Sequence, residues 1–169
     1  MSLADRVRHP DFLQRVMLAE EAAALVPSGA NVGMSGFTGA GYPKALPQAI
    51  ARRAKAEHAA GKPYKINVWT GASTAPELDG SLAEAHAIGQ RLPFNTDPTA
   101  RNAINAGEID FIDMHLSHVA QQAWFGFLGP LHIAVIEVLG VTADGLLIPA
   151  TSVGNNKTWL EIADKVILE

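Results

Sequence analysis

Apolar and polar positions along the chain alternate between two rhythms, one of helical and one of strand period. Phe12, Leu13, Val16 and Met17, then residues 22–26, keep near-helical spacing after Asp11, a good capping residue, and Pro27-Ser28-Gly29 stops the run, which predicts a helix over 12–26. A short strand over 30–33 follows. An alanine-rich stretch with Leu46, Ile50 and Ala54 at helical spacing predicts a helix over 44–58, closed by Gly61-Lys62-Pro63. Ile66-Asn67-Val68-Trp69-Thr70 alternates as a strand. After Gly71-Ala72-Ser73-Thr74, Pro76-Glu77-Leu78 opens a helix, its proline suited to the first turn and its carboxylate to the positive end of the dipole. Residues 99–106 predict a short helix closed by Gly107, 109–112 a strand, 118–124 a helix and 133–138 the strongest strand of all. Leu146-Leu147-Ile148-Pro149 reads as a hairpin partner across Asp144-Gly145, 158–163 as a helix and 165–169 as a last strand, while 89–99 reads as irregular.

Strands alternating with helices predict an α/β fold, an open and mostly parallel sheet flanked by helices, with ligands outside the carboxyl ends of the strands. Two loops of small residues fall at those ends. One is Gly33-Met34-Ser35-Gly36-Phe37-Thr38-Gly39-Ala40-Gly41-Tyr42-Pro43 and the other Gly71-Ala72-Ser73-Thr74. A chain that stops inside a strand reads as a fragment of a longer protein.

Composition narrows the chemistry. With 169 residues, 48% of them apolar, one good core and a single domain are expected. The net charge of −4 comes without a basic cluster beyond Arg52-Arg53-Ala54-Lys55 on a helix, which argues against nucleic acid. The absence of cysteine removes disulfides, thiolate metal sites and a cysteine nucleophile. The first residues lack the apolar core of a signal peptide and no apolar run reaches membrane-spanning length, so the expectation is a cytoplasmic protein with no membrane partner.

The glycine-rich loop fits neither common phosphate template: Tyr42 stands where a Walker A motif needs lysine, and Gly39-Ala40-Gly41 lacks the third glycine of a dinucleotide fingerprint. A tight turn would explain some of its glycines; their number favours a backbone anion or oxyanion site. Gly71-Ala72-Ser73-Thr74-Ala75 is a degraded nucleophile elbow, and Asp97 or Asp113 with His115, His118 or His132 would complete the chain order of a serine-hydrolase triad. Alanine at the last motif position weakens that reading, and the plainer one is that Ser73 and Thr74 hydrogen-bond backbone in a strand-to-helix turn. His115 and His118, with Asp110 and Asp113, have the residue types of a metal site but no second ligand cluster, so no metal is expected. Asn155 or Asn156 is placed to cap the last helix. Trp69, Trp124 and Trp159 read as core or interface residues with no shared stacking platform.

Four motifs in order, Gly36-Phe37-Thr38-Gly39-Ala40-Gly41-Tyr42-Pro43-Lys44, Thr70-Gly71-Ala72-Ser73, Pro93-Phe94-Asn95-Thr96-Asp97 and Ser152-Val153-Gly154-Asn155, resemble the acetyl-CoA hydrolase/transferase family of class I CoA-transferases. The resemblance implies a CoA-transferase-like fold of the NagB/RpiA type in two tandem domains, of which residues 1–169 are the first. It implies acyl transfer from CoA to a glutamate, through a mixed anhydride and a glutamyl-CoA thioester, with the glutamate in the absent C-terminal domain. No catalytic residue is then expected here, since Glu77, Glu84, Glu108 and Glu137 fall outside that motif, and this chain alone should be inactive. The implied substrate contacts are Ser73 and Thr96, with Asn95 as a weaker neighbour, and the implied backbone or oxyanion loop is Gly36, Phe37, Thr38, Gly39, Ala40 and Gly41. The arginine of that pocket lies downstream in the family, so Arg91 and Arg101 are not its equivalents. The implied partners are acyl-CoA as cosubstrate, a short-chain carboxylate, the second domain and further copies of the chain. A serine hydrolase using Ser73 and a non-catalytic acyl-CoA binding module are the alternatives.

Overall fold

The computed structural model describes all residues except Met1, Ser35 and Ser73. Its strands are β1 (Asn31–Met34), β2 (Ile66–Trp69), β3 (Ile88–Leu92), β4 (Asp110–Phe111), β5 (Leu131–Ile136), β6 (Val138–Val141), β7 (Leu147–Pro149) and β8 (Ala163–Leu168). Its helices are α1 (Leu3–Arg6), α2 (Pro10–Leu13), α3 (Ala19–Ala24), α4 (Ala45–Ala59), α5 (Ser81–Glu84), α6 (Pro98–Asn105), α7 (Leu116–Trp124) and α8 (Asn156–Ile162), and a π-helical turn, Pro76–Gly80, leads into α5. Among the described residues the strands form a six-stranded sheet ordered β4-β3-β2-β1-β5-β8, in which every neighbouring pair is parallel, and a separate antiparallel pair, β6 and β7. From β1 the chain winds one way through β2, β3 and β4, then returns to place β5 on the other side of β1. The reversal falls between β1 and β5, and open α/β sheets take their ligands outside the carboxyl ends of the strands at such a point.

Both faces of the sheet are covered. Ile133 and Val135 of β5 share one layer with Val32, Met34, Ile50 and Val68, whereas Ala134 and Ile136 share the other with Trp69, Val119 and Trp159. A strand buried on both faces needs apolar residues at every position, which is why β5 stood out in the sequence. Gly33 makes the second layer possible: a Cβ there would lie 3.0 Å from the Trp159 ring and 3.2 Å from Leu131. Trp159 and Trp69 are wholly buried with ring centroids 6.1 Å apart, so two of the three tryptophans do pack together, while Trp124 is exposed.

Several elements depart from the sequence expectation. The helix expected over 12–26 is interrupted: Arg15 N–H and Val16 N–H bond to Phe12 and Leu13 carbonyls as α2 ends, and Leu18 N–H restarts the chain by donating to Glu21 Oε2 at 2.7 Å. Val16, Met17 and Leu18 are exposed, so no burial holds a continuous helix there. Instead the N-terminal segment is tied to the hairpin, with Arg8 N–H donating to Val141 O at 2.9 Å. The stretch expected to be irregular contains β3, whose Gly89-Gln90-Arg91 shows no apolar alternation because Arg91 is buried as an ion pair with Asp79. The strand expected over 133–138 starts earlier and ends before Glu137, where the chain turns into β6. The strand expected over 109–112 shortens to β4. The hairpin across Asp144-Gly145 is present, pairing Val141 with Leu147 and Val138 with Pro149, and Gly145 takes φ +84° at its turn.

Candidate functional site

The glycine-rich loop leaves β1 and folds into a tight turn: Phe37 N–H donates to Ala40 O at 2.8 Å and Ala40 N–H to Phe37 O at 3.2 Å, with Thr38 and Gly39 at the exposed tip. Two of its amides are therefore engaged within the loop. At the base, Gly36 lies against Tyr42, where a Cβ would come within 2.5 Å of the Tyr42 Cβ. Gly41 takes φ +66° and abuts Ser152, whose backbone nitrogen would be 2.6 Å from a Cβ at that position. Any other residue would be strained there and would also clash. Ser152 Oγ donates to Ala40 O at 2.7 Å, pinning the segment before α8 to the loop.

The loop after β2 joins the same cluster. A Cβ on Gly71 would lie 3.5 Å from Asn155 N and 3.6 Å from Gly36 O, so the first, second and fourth motifs meet at one edge of the sheet. Ser73 lies outside the described residues. Thr74 is buried, and its Oγ1 and N–H donate to Asp79 Oδ2 at 2.6 and 3.2 Å. Asp79 also accepts from Arg91 Nε at 2.7 Å and Nη2 at 2.9 Å, with both side chains fully buried. Burial pushes the Asp79 carboxyl up, but the Arg91 guanidinium and the bonds from Arg91 and Thr74 outweigh it and hold the group below its ordinary value.

In the loop after β3, Asn95 turns back on its own chain: its Nδ2 donates to Asp97 O at 3.1 Å and its Oδ1 accepts from Asp97 N–H at 3.3 Å. Asp97 caps α6 by accepting from Ala100 N–H at 3.0 Å, and Thr96 is exposed. These contacts give Asn95 a loop-shaping task.

After the glycine-rich loop, Tyr42 donates to Glu77 Oε2 at 2.7 Å; burial, then this bond to a carboxylate, push the phenol up to about 12, and the same bond lowers Glu77. Lys44 Nζ donates to Tyr42 O at 2.7 Å and to Glu137 Oε1 at 2.5 Å, and sits 4.2 Å from the centre of the Tyr42 ring. The Glu169 carboxylate accepts the N–H groups of Lys44, Ala45 and Leu46 at 2.5, 2.8 and 2.8 Å, closing the positive end of α4.

The residues weighed for other chemistry have separate tasks. His132 accepts from Asn31 N–H at 3.0 Å near the start of β5, at the opposite edge of the sheet from the loop that carries Ser73. His115 caps α7, with Nδ1 2.7 Å from Ser117 Oγ and its ring 5.5 Å from that of His118. Among the described residues no three His, Asp or Glu side chains gather into a metal-binding group, and no helix is long and apolar enough to cross a membrane. Asn155, not Asn156, stands at the cap position of α8. Asp79 and Arg91 were missed as partners; the only sequence trace is an arginine in a stretch whose neighbours give it no solvated face.

The chain matches the family described as acetyl-CoA hydrolase/transferase N-terminal domain over residues 1–169. A propanoyl-CoA:succinate CoA transferase from Escherichia coli is 46% identical over 153 residues, 90% of this chain and 31% of that protein. A succinyl-CoA:acetate CoA-transferase from Clostridium kluyveri is 39% identical over 164 residues, 97% of this chain and 30% of that protein. The chain thus spans about a third of the length of the curated relatives it matches. Two solved structures share the fold at low identity: RipA from Yersinia pestis, with TM-score 0.69 and 17% identity over 93% of this chain and 36% of that one, and glutaconate coenzyme A-transferase from Acidaminococcus fermentans, with TM-score 0.68 and 13% identity over 92% of this chain and 68% of that one.

Proposed function

The chain belongs to the acetyl-CoA hydrolase/transferase N-terminal domain family, and on that premise we propose that it is the first of two tandem α/β domains of an enzyme that moves CoA between short-chain acyl groups such as acetyl and succinyl. In this reading a glutamate of the second domain attacks the acyl-CoA carbonyl and CoA leaves as thiolate. The thiolate then attacks the glutamyl carbonyl of the anhydride, releasing the first carboxylate and leaving a glutamyl-CoA thioester. An incoming carboxylate takes this back to a new acyl-CoA; water in its place hydrolyses it. CoA is a cosubstrate and no metal takes part.

The observation that carries the reading is the convergence of the glycine-rich loop, the Gly71 loop and the Ser152–Asn155 segment at the carboxyl edge of the sheet, beside the switch between β1 and β5. Ser73 and Thr96 would donate to the carboxylate substrate, with Asn95 shaping the loop between β3 and α6. Residues 36–41 would line the cleft, Thr38 and Gly39 presenting backbone to developing negative charge. Exposed Phe37 and Phe94, on the loops after β1 and β3, support a surface that meets a second domain. We place the enzyme in the cytoplasm as a homo-oligomer.

The test is kinetic, in a longer protein that carries this domain. Thr96→Ala should raise KM for the carboxylate by roughly tenfold, as one lost hydrogen bond to a charged group implies, with little change in KM for acyl-CoA. An unchanged carboxylate KM would remove Thr96 from the site.

A further inference from the structure

We infer that Asp79 and Arg91 are positioning residues: a buried unit that sets the geometry of the two strand-exit loops and thereby the selection of the carboxylate substrate, an inference that rests on the function proposed above. Asp79 is carried inward on the π-helical turn Pro76–Gly80. Its carboxylate takes two bonds from Arg91 and two from Thr74. Thr74 follows Ser73 directly in the loop after β2. Arg91 sits in β3, and its Nη1 also donates to Leu92 O, the last carbonyl before the loop that bears Asn95 and Thr96. The turn touches that loop too: a Cβ on Gly80 would lie 3.0 Å from Asp97 Oδ2. One carboxylate therefore ties together the exits of β2 and β3.

Stability alone does not explain this arrangement. A buried ion pair is commonly matched or exceeded in stability by apolar side chains of similar volume, because taking both charges out of water offsets their attraction. What such side chains cannot supply is direction. A guanidinium fork on a carboxylate fixes both planes, and the second carboxylate oxygen then fixes Thr74. A π turn is itself rare and recurs at functional sites. Misplacing Ser73 or Thr96 by a fraction of an ångström would weaken a two-donor carboxylate contact while leaving the rest of the acyl-CoA cleft untouched.

The experiment uses a longer protein carrying this domain and compares wild type with Asp79→Leu/Arg91→Met, Thr74→Val and Thr74→Ser. The apolar double variant should melt at or above the wild-type temperature, yet show KM for the carboxylate raised by about tenfold or more, with KM for acyl-CoA shifted less than about twofold. Thr74→Val, which leaves the ion pair intact, should show the same selective rise, and Thr74→Ser should restore the wild-type value. If the double variant does not fold, Thr74→Val and its serine rescue decide the matter. A wild-type carboxylate KM in Thr74→Val, or equal losses toward both substrates, would overturn the positioning unit alone. A wild-type protein inert toward acyl-CoA would overturn the proposed function and the substrate role with it.

Discussion

The glycine-rich loop and the loop after β2 lie side by side at the carboxyl edge of the sheet, yet they are anchored in opposite ways. The glycine-rich loop is held by partly exposed polar contacts, Lys44 to Glu137, the hydroxyl of the buried Tyr42 to Glu77, and Ser152 to the Ala40 carbonyl, none of them a fully buried charge pair. The loop after β2 is held from the interior, through Thr74 to a carboxylate and guanidinium with no solvent contact. Contacts near water are individually weak and exchange readily, whereas removal of one partner from a buried pair leaves an uncompensated charge in the core. The contrast assigns the two loops different mechanical characters: one able to adjust around a ligand, the other anchored at Thr74 to a buried charge pair.

The largest effect should come from breaking the interior anchor. Asp79→Ala is expected to destabilise the chain by about 3–5 kcal/mol in denaturant unfolding, because Arg91 is left charged and unpaired. The same pair sets an acid limit. Asp79's pKa is lowered from 3.8, so its contribution is complete above that value and drains away as pH falls further, through the lower folded value. Acid unfolding of wild type should therefore show a steep loss below this range that a double apolar replacement lacks. A shallow, identical acid profile in both would place the acid sensitivity elsewhere.

Next in size is the base of the glycine-rich loop. Gly41→Val adds bulk against Ser152 at φ +66°, and about 1–3 kcal/mol of destabilisation is expected, read as a lowered melting temperature. Retention of the wild-type melting temperature would mean that Ser152 moves aside freely. The smallest effect belongs to the partly exposed anchors. Tyr42→Phe removes one bond to a carboxylate and should reduce stability by about 1.5 kcal/mol or less near neutral pH. The folded phenol titrates near 12 against 10.0 for the free group, so this contribution is whole below 10 and fades as pH rises toward 12. Burial also pushes the other phenol, Tyr64, up, so ultraviolet titration should show two phenols ionising late in wild type and one in the variant; early ionisation of one phenol in wild type that the variant lacks would argue that Glu77 does not hold Tyr42.

The two loops also differ in how far the sequence revealed them. The glycine-rich loop announced itself, since the conformation and close approach demanded at Gly36 and Gly41 require glycine, and that demand is local. Helix α4 and the β6–β7 hairpin were legible for the same reason: their signals, alanine spacing and Asp144-Gly145, lie within the element. The fold class followed from alternating strands and helices, which needs only local periodicity. By contrast β3 depends on pairing with β2 and on Asp79 twelve residues away, so its polar Gln90-Arg91 looked like loop. The break between α2 and α3 was hidden because apolar spacing cannot tell a buried helical face from the exposed one that Val16, Met17 and Leu18 present. As carboxylate contacts, Ser73 and Thr96 are suggested only by family resemblance: the strand-exit position of Ser73 pointed by itself to a nucleophile elbow, and a short hydroxyl in a turn carries no signature of a bound carboxylate.

The most direct measurement is intact-mass analysis of this chain and of a longer protein carrying it, each incubated with acetyl-CoA or succinyl-CoA and then with borohydride. The longer protein should acquire CoA in thioester linkage on a glutamate, with that side chain reduced to an alcohol by borohydride, while residues 1–169 alone gain no adduct and release no CoA. An acyl adduct on Ser73 of this chain would contradict the assignment and make the protein a serine acyltransferase or hydrolase instead.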